Sequence, residues 1–568
     1  MAIEQRAYRQ RAAALYALAL LRFALLGFSY QPLLDDHIQY YNYANLMGAL
    51  PQAVSRLGLL AARPLAGLAD IAVWSRFWPC LFLALALLAA LLTLSALLFE
   101  RLFDEMVGTG PLFTWFFLLL PANFEATYWL SASTRVIPGL LLAACAGLCA
   151  LRAEKRPWLM LAAGGCCLLA AGFYEQCFVL AAGLCALCGL FWTRRPLTKV
   201  ASVVLPCAAY GVYATLCAAA GPSALYGARA SLVLPFRDAA FFSQHLPQVF
   251  EQLYAVFKSI PALTLRALLR FPGVLAQTLW PALPMLLALL ALLWWTTLHL
   301  DKRFSTGARE ECVSSRFARP EASDKARQER ALGPKEQSCT SLPADISPKK
   351  RAWLALLIGA LVAIGPFAPF FVIANPWIGL RALGAALPGL ALFADALLRI
   401  APLSPKGARL TAGAIASALL LATLPELADY RLTAAQDAAL LEAVADALPQ
   451  NAKVVALLGV QPCYLPDQNY EWHEHLHGVT ESRWALTGAL RQTCDSLDIP
   501  TVTPLAQGSV YGEYADPAQY DAFLLVRGGG ACSAQDITVT PLVRNGAQFL
   551  DQSGAVCAIL EGTALTIY

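Results

Sequence analysis

A mostly α, polytopic membrane bundle of about eleven transmembrane helices, followed by a C-terminal α/β domain, is the fold this sequence predicts. Three observations predict it. Of 568 residues, 58% are hydrophobic and only 14% charged, and the mean hydropathy is +0.55, far from the roughly half-apolar, quarter-charged balance of water-soluble domains. Apolar stretches approaching the roughly 20 residues needed to cross the hydrocarbon core recur between short charged punctuations. They stop near residue 425, after which turn-rich, strand-like sequence takes over.

The expected spans are 12–30, 77–99, 112–122, 136–151, 158–173, 177–192, 199–219, 273–298, 352–374, 378–400 and 408–425. Residues 12–30 follow Arg6, Arg9 and Arg11 as a secretory signal would. The run is long enough to span and leads into Gln31-Pro32-Leu33 rather than a small-residue cleavage site, so it reads as a retained first helix. Lys and Arg near span ends are held on the cytoplasmic side. Arg101, Arg152, Lys155, Arg156, Arg194, Arg195, Lys199, Lys406 and Arg409 all obey one assignment, with the N-terminus cytoplasmic and the C-terminus outside. The implied location is the plasma membrane, multi-pass, with lipid as the main solvent.

Four units follow. Residues 1–300 form an N-terminal membrane module with outer loops at 31–76, 123–135 and 220–272. Residues 301–351 form a cytoplasmic linker; from 299 to 351 twelve Lys/Arg stand against eight Asp/Glu with little apolar periodicity, a disorder-type composition. Residues 352–425 hold the last spans, and 426–568 an exported domain with 17 acidic against 6 basic residues. That domain reads as a helix over 433–448 and strands at 454–460, 522–527 and 555–560 between Gly-, Pro- and Asp-rich turns. Of the sixteen cysteines, ten lie in apolar segments, where the thiol behaves as a small hydrophobe. Cys463, Cys494, Cys532 and Cys557 are placed where an oxidising compartment would allow pairing, in any of three connectivities.

Chemistry concentrates in the outer loops. Asp35 and Asp36 follow the first span by a few residues, and Tyr40, Tyr41, Tyr43, Arg56, Arg63 and Arg76 share their loop. Headgroup solvation alone explains charge at a membrane boundary. A carboxylate pair together with aromatic rings and cations also supplies a base and a phosphate clamp at one interface.

The order of these motifs resembles the membrane glycosyltransferases of the GT-C fold, especially bacterial families acting on cell-surface polymers. The resemblance is carried by Asp35-Asp36-x-x-x-Tyr40-Tyr41, the Ala44-Asn45-Leu46-Met47 segment, and Arg63-Pro64-Leu65, where Ala62 stands in place of the family's glycine. It continues with Asn123-x-Glu125, then Tyr128-Trp129-Leu130-Ser131-x-Ser133, and Tyr174-Glu175-Gln176. It implies transfer of a sugar from a polyprenyl-phosphate donor to a cell-surface or cell-wall glycan outside the cytoplasm, with inversion. It also implies Asp35 as the general base, with Asp36 facing elsewhere and assisting through hydrogen bonds or a metal.

Arg63 is the first candidate for the donor phosphate and Arg381 the second, because an intramembrane arginine must face the bundle interior or a polar cavity. Tyr40, Glu125, Trp129, Ser131, Glu175 and Gln176 are candidates for sugar contacts. For Glu125 and Glu175 the simpler account is a solvated turn acid, and for Trp129 the membrane's aromatic belt. Arg22, inside the first span, needs an internal partner or water. No cofactor is required by these residues, a divalent cation, Mg or Mn, being the option left open, and nucleic acid is not an expected partner.

His473-Glu474-His475-Leu476-His477 gathers three of the six histidines. In a strand their imidazoles would share one face fit for zinc. With no spaced acidic or cysteine partner, a solvated surface loop is the expected reading. A Walker loop, a dinucleotide fingerprint and a hydrolase elbow are all missing from the sequence, which argues against a cytoplasmic nucleotide-sugar enzyme. The competing functions are a transporter or flippase for a lipid-linked glycan, and a polymerase or ligase of such glycans. The two halves of the chain show no internal repeat of the kind transporters carry.

Overall fold

The computed structural model describes residues 2–38, 62–221, 239–300, 347–373, 376–449, 451–465 and 473–568. Leaving aside single turns, its helices are α1 (Ala2–Leu21), α2 (Pro64–Ala72), α3 (Leu81–Met106), α4 (Phe113–Leu119), α5 (Leu130–Arg152), α6 (Leu159–Phe173) and α7 (Glu175–Trp192). They continue as α8 (Pro196–Ala220), α9 (Ala239–Gln277), α10 (Leu279–Trp295), α11 (Pro348–Ile364), α12 (Leu383–Ile400), α13 (Pro405–Ala447) and α14 (Arg483–Thr493). Among the described residues, nine helical stretches are long and apolar enough to cross a membrane. The expected eleven differ in a definite way. The first segment, α4 and α6 fall short of that standard, while Ser243–Gln277 meets it although it was read as part of the outer loop 220–272. The expected linker 301–351 and the loop motif at 40–47 lie outside the described residues, save for the start of α11.

Helix α9 runs unbroken through Pro247, Pro261 and Pro272. Its apolar residues are spaced so that one stripe, with Val249, Val256, Leu263 and Val274, is buried. His245 reaches the carbonyl of Phe370 at 2.9 Å, and Gln252 bonds the carbonyl of Pro376 and the N–H of Ile378 at 3.1 and 3.0 Å. Twenty-five residues after His245, about 37 Å of helix, Arg270 clasps Asp429 through two bonds of 2.5 and 2.6 Å. All these partners lie at the end of the bundle that carries the soluble domain. Helix α9 therefore packs its Val and Leu stripe and its inward polar groups on the bundle, while Phe250, Tyr254, Leu265 and Leu269 stay exposed on its outer face.

The bundle core is continuous and dominated by Leu, Ala and Phe. Helices α11 and α12 touch backbone to backbone, because a Cβ at Gly389 would collide with the chain at Ala363 and one at Gly359 with Phe393. Small residues at a crossing allow this approach where no water is available to drive packing. At the opposite end from the soluble domain, Arg11 forks onto Glu100 with two bonds of 2.8 Å, Arg152 meets Glu105 at 2.8 Å, and the Arg194 N–H donates to Glu154.

Helix α13 begins at a Ser404 cap with Pro405 in its first turn and continues for 43 residues. Its length, about 64 Å at 1.5 Å per residue, is twice the hydrocarbon thickness. The expected boundary at 425/426 falls inside it, and the helix expected over 433–448 is its last turns. One rod thus carries the bundle into the soluble domain.

That domain holds strands β1 (Val454–Val460), β2 (Thr501–Ala506), β3 (Gly508–Ser509), β4 (Ala522–Arg527), β5 (Thr538–Asn545), β6 (Gln548–Leu550), β7 (Val556–Glu561) and β8 (Ala564–Ile567). They form one sheet in the order β2-β1-β4-β5-β6-β7-β8-β3. β1 pairs in parallel with β2 and β4, and the remaining pairs are antiparallel. β1 reads VVALLGV because a central parallel strand is covered on both faces. Val455, Leu457 and Leu524 pack with Leu440 and Val444 of α13 and Leu486 and Leu490 of α14, and this core reaches Leu34 and Trp129 of the membrane module. Cys463, Cys494, Cys532 and Cys557 are all free thiols.

Candidate functional site: an acidic and cationic cluster under the soluble domain

The chain leaves the first helical segment and turns sharply at Leu34, whose φ of +42 is costly for a residue with a branched side chain. This turn separates the twin aspartates into different environments. Asp36 is buried and accepts from the Tyr30 hydroxyl at 2.5 Å, the Leu33 N–H at 3.2 Å and the Ser131 N–H at 2.7 Å. Burial raises its carboxyl to about 7 against the opposing pull of these hydrogen bonds. The Tyr430 hydroxyl lies 2.8 Å from that of Tyr30, so Asp36 anchors a buried network tying the loop to α5 and α13. Asp35 is half-buried, and its Oδ1 accepts from the indole N–H of Trp484 on α14 at 3.0 Å.

Three further acids face cations beside Asp35. Arg381, in the turn before α12, pairs through Nη1 with Glu474 Oε2 at 3.0 Å, while its backbone N–H donates to Glu125 Oε1 at 3.0 Å. Glu474 also accepts from the Trp377 indole at 2.5 Å. Its carboxyl is raised by burial, with Arg381 opposing. Arg63 caps α2 in a left-handed conformation, φ +47, and binds Glu175 at 2.9 and 3.1 Å while lying 4.8 Å from the Tyr174 ring centroid. Asp35, Arg63, Glu125, Glu175 and Arg381, scattered over 347 positions of sequence, thus meet at one end of the bundle.

The other expected contacts distribute differently. Trp129 is fully buried, donates its indole N–H to the Leu33 carbonyl at 3.3 Å, and packs in the core shared with the soluble domain. It is neither a belt residue nor a stacking platform, because the docked domain covers it. Ser131 serves through its backbone N–H, and its hydroxyl faces Arg135 at 3.3 Å. Glu125 is fully buried rather than a solvated turn acid, whereas Glu175 is half-exposed. Gln176 is buried on α7, and its Oε1 has no hydrogen-bond partner among the described residues. Tyr40 lies outside the described residues. Arg22 is buried, 4.3 Å from the Phe23 ring centroid and 3.5 Å from the Thr127 hydroxyl.

The histidine cluster overturns its expected reading. Its centre is a 3-10 turn, Glu474–Leu476, and His473 and His475 are each 1% exposed. The acidic partner that local spacing lacks comes from afar: His475 Nδ1 lies 3.4 Å from Glu125 Oε2, and Nε2 lies 3.6 Å from Glu426 Oε2. These carboxylates overcome burial and raise His475 to about 9, whereas burial lowers His473 to about 3. Sequence reasoning also missed the Asp70–Arg135 pair, 3.0 Å apart with Asp70 fully buried. Its only sequence signal is an acid within an apolar stretch.

No protein-family model matches the chain, and neither a curated protein nor a solved structure matches it significantly. What the site can do follows from its own groups: a half-exposed carboxylate for a proton and arginines for an anion.

Proposed function

We propose that this chain is a membrane glycosyltransferase of GT-C type that moves a sugar from a polyprenyl-phosphate donor to a cell-envelope glycan outside the cytoplasm. The observation that carries the proposal is that one docked domain reaches both groups, Trp484 bonding Asp35 and Glu474 pairing with Arg381. The sidedness rests on charge. Arg101, Arg152, Arg194 and Arg195 gather at the end away from the soluble domain, which the retention of Lys and Arg makes cytoplasmic.

In the proposed step Asp35 takes the proton of the acceptor hydroxyl as its oxygen bonds to the anomeric carbon from the face opposite the leaving group. The bond from that carbon to the phosphate oxygen breaks, and polyprenyl phosphate leaves with the electron pair. Its charge falls to Arg381, which exchanges Glu474 for the phosphate, and to Arg63 from the other side. Fixed cations in a site screened from bulk water stabilise such charge most where it develops. Asp36, saturated with hydrogen bonds, holds the loop in place.

The test is transfer by the purified full chain in lipid nanodiscs supplied with a polyprenyl-phosphate sugar and a glycan acceptor. Asp35→Asn is expected to lose about 10²-fold or more of kcat with an unchanged melting temperature. Normal transfer by that variant would remove Asp35 from the chemistry.

A further inference from the structure

We propose that Glu426, His473 and His475 form a binding site for one divalent ion of the zinc class, which pins the soluble domain to the membrane bundle. The inference stands on geometry alone and is independent of the glycosyl-transfer reading.

One donor atom from each of the three residues lies within 4.8 Å of the other two, and all three residues are buried. Residues 473 and 475 flank a single 3-10 turn, so Glu474 points away toward Arg381 and Trp377 while the two imidazoles stack at 5.6 Å with an interplanar angle of 17°. Glu426 approaches from α13, one residue after Pro425. Closing a tetrahedral shell around zinc, with bonds of about 2.0 to 2.2 Å, requires side-chain shifts of about 1 Å.

The surroundings have the form expected around such an ion. A metal-bound histidine ordinarily gives its second ring nitrogen to a carboxylate, which fixes the tautomer. His475 meets that requirement: Nδ1 faces Glu125 Oε2 at 3.4 Å, and Glu125 is held by the Arg381 N–H, leaving Nε2 toward Glu426 at 3.6 Å. Beside Glu426 and His473 lies a small cavity whose walls include Leu263, Ala267 and Arg266 of α9. The space is too tight for a water as it stands, so a fourth ligand would enter with the side-chain shifts that close the shell. Two nitrogens and one carboxylate oxygen favour zinc or cobalt over magnesium, which prefers an all-oxygen octahedron. Glu426 belongs to the continuous rod of the bundle, whereas both histidines belong to the connection after β1. An ion between them is a strap across the junction.

The experiment uses the full chain in detergent, stripped with a chelator, dialysed against zinc and measured for metal by mass spectrometry. One zinc per chain is expected for the unmodified protein and for His477→Ala. His473→Ala and Glu426→Gln should bind at least 10²-fold more weakly, and Glu125→Gln 10- to 100-fold more weakly. Stoichiometric zinc should also raise the melting temperature of the unmodified chain but not of Glu426→Gln.

A second measurement covers loss of fold in those variants. His473→Cys loaded with cobalt should show a sulfur-to-cobalt charge-transfer band that the unmodified protein lacks. Absence of that band, or zinc retained equally by all variants, would overturn the site. Because metal content needs no turnover, these outcomes are read separately from any result on glycosyl transfer.

Discussion

Trp484 and Asp35, 449 positions apart, are joined by a 3.0 Å hydrogen bond from the indole N–H to the carboxylate Oδ1. A residue of the soluble domain thereby orients the acid proposed as the base in the membrane module. Replacing Trp484 by Phe keeps the ring and removes the donor. A hydrogen bond to a charged group contributes about 1.5 to 3 kcal/mol when buried, and less at this half-exposed position. We expect kcat for sugar transfer to fall about 3- to 10-fold while donor KM stays constant, as steady-state kinetics in nanodiscs would report.

The twin aspartates should separate cleanly in mutagenesis. Asp36→Ala leaves the Ser131 and Leu33 N–H groups and the donated proton of the Tyr30 hydroxyl without their acceptor. The cost is about 3 kcal/mol or more, since each of the three orphaned donors costs about 1 to 3. Thermal unfolding in detergent should show that loss for Asp36→Ala and none for Asp35→Asn. Equal stability of the two variants would contradict the division of labour.

Arg381 offers a test of donor binding that keeps its backbone contact. Its side chain pairs with Glu474, but its backbone N–H makes the bond to Glu125. Arg381→Ala should therefore raise donor KM at least tenfold and preserve the Glu125 contact. Lys at this position keeps the charge but loses the planar fork, so recovery should be partial. Binding of a labelled polyprenyl phosphate to both variants is the decisive measurement.

His37 gives the pH dependence a sign. Buried next to Trp78, it is lowered from 6.5 to about 4 by loss of hydration, with the Gln492 side chain and the Pro32 backbone partly opposing. The unfolded chain therefore takes up this proton first as pH falls. His37's own contribution is complete above pH 6.5 and falls by about 3 kcal/mol on acidification to pH 4, opposed by Asp36, whose raised carboxyl takes up its proton first in the folded state. His37→Gln should flatten that part of the melting-temperature profile between pH 6.5 and 4, leaving the rest unchanged.

Asp70 and Arg135 form a pair that no spacing or motif joins. Asp70→Ala leaves Arg135 nearly buried without its carboxylate, which costs about 3 to 5 kcal/mol. The double variant with Arg135→Ala should recover part of that loss, and a double-mutant cycle on unfolding free energies measures the coupling.

Composition and periodicity made the bundle, the acidic soluble domain and strands such as Val454–Val460 legible, because hydrocarbon length and side-chain alternation are local constraints. The helix at 239–277 was not legible as one piece: three prolines and several charges read as a loop, and only the surface of the bundle end supplies an apolar face for its stripe. The end of α13 was obscured for a similar reason. Its membrane half and soluble half differ in composition, although the backbone does not break between them.

The sequence by itself determined that Asp35, Arg63 and Arg381 stand near span ends, since apolar length fixes where polar residues emerge. Only the tertiary structure decided which carboxylate is left half-exposed, that Trp129 is sealed in a core, and that His475 lies between Glu125 and Glu426. Those outcomes depend on contacts spanning hundreds of residues, created when the soluble domain settles on the bundle. No local period or spacing encodes the neighbours that such docking supplies.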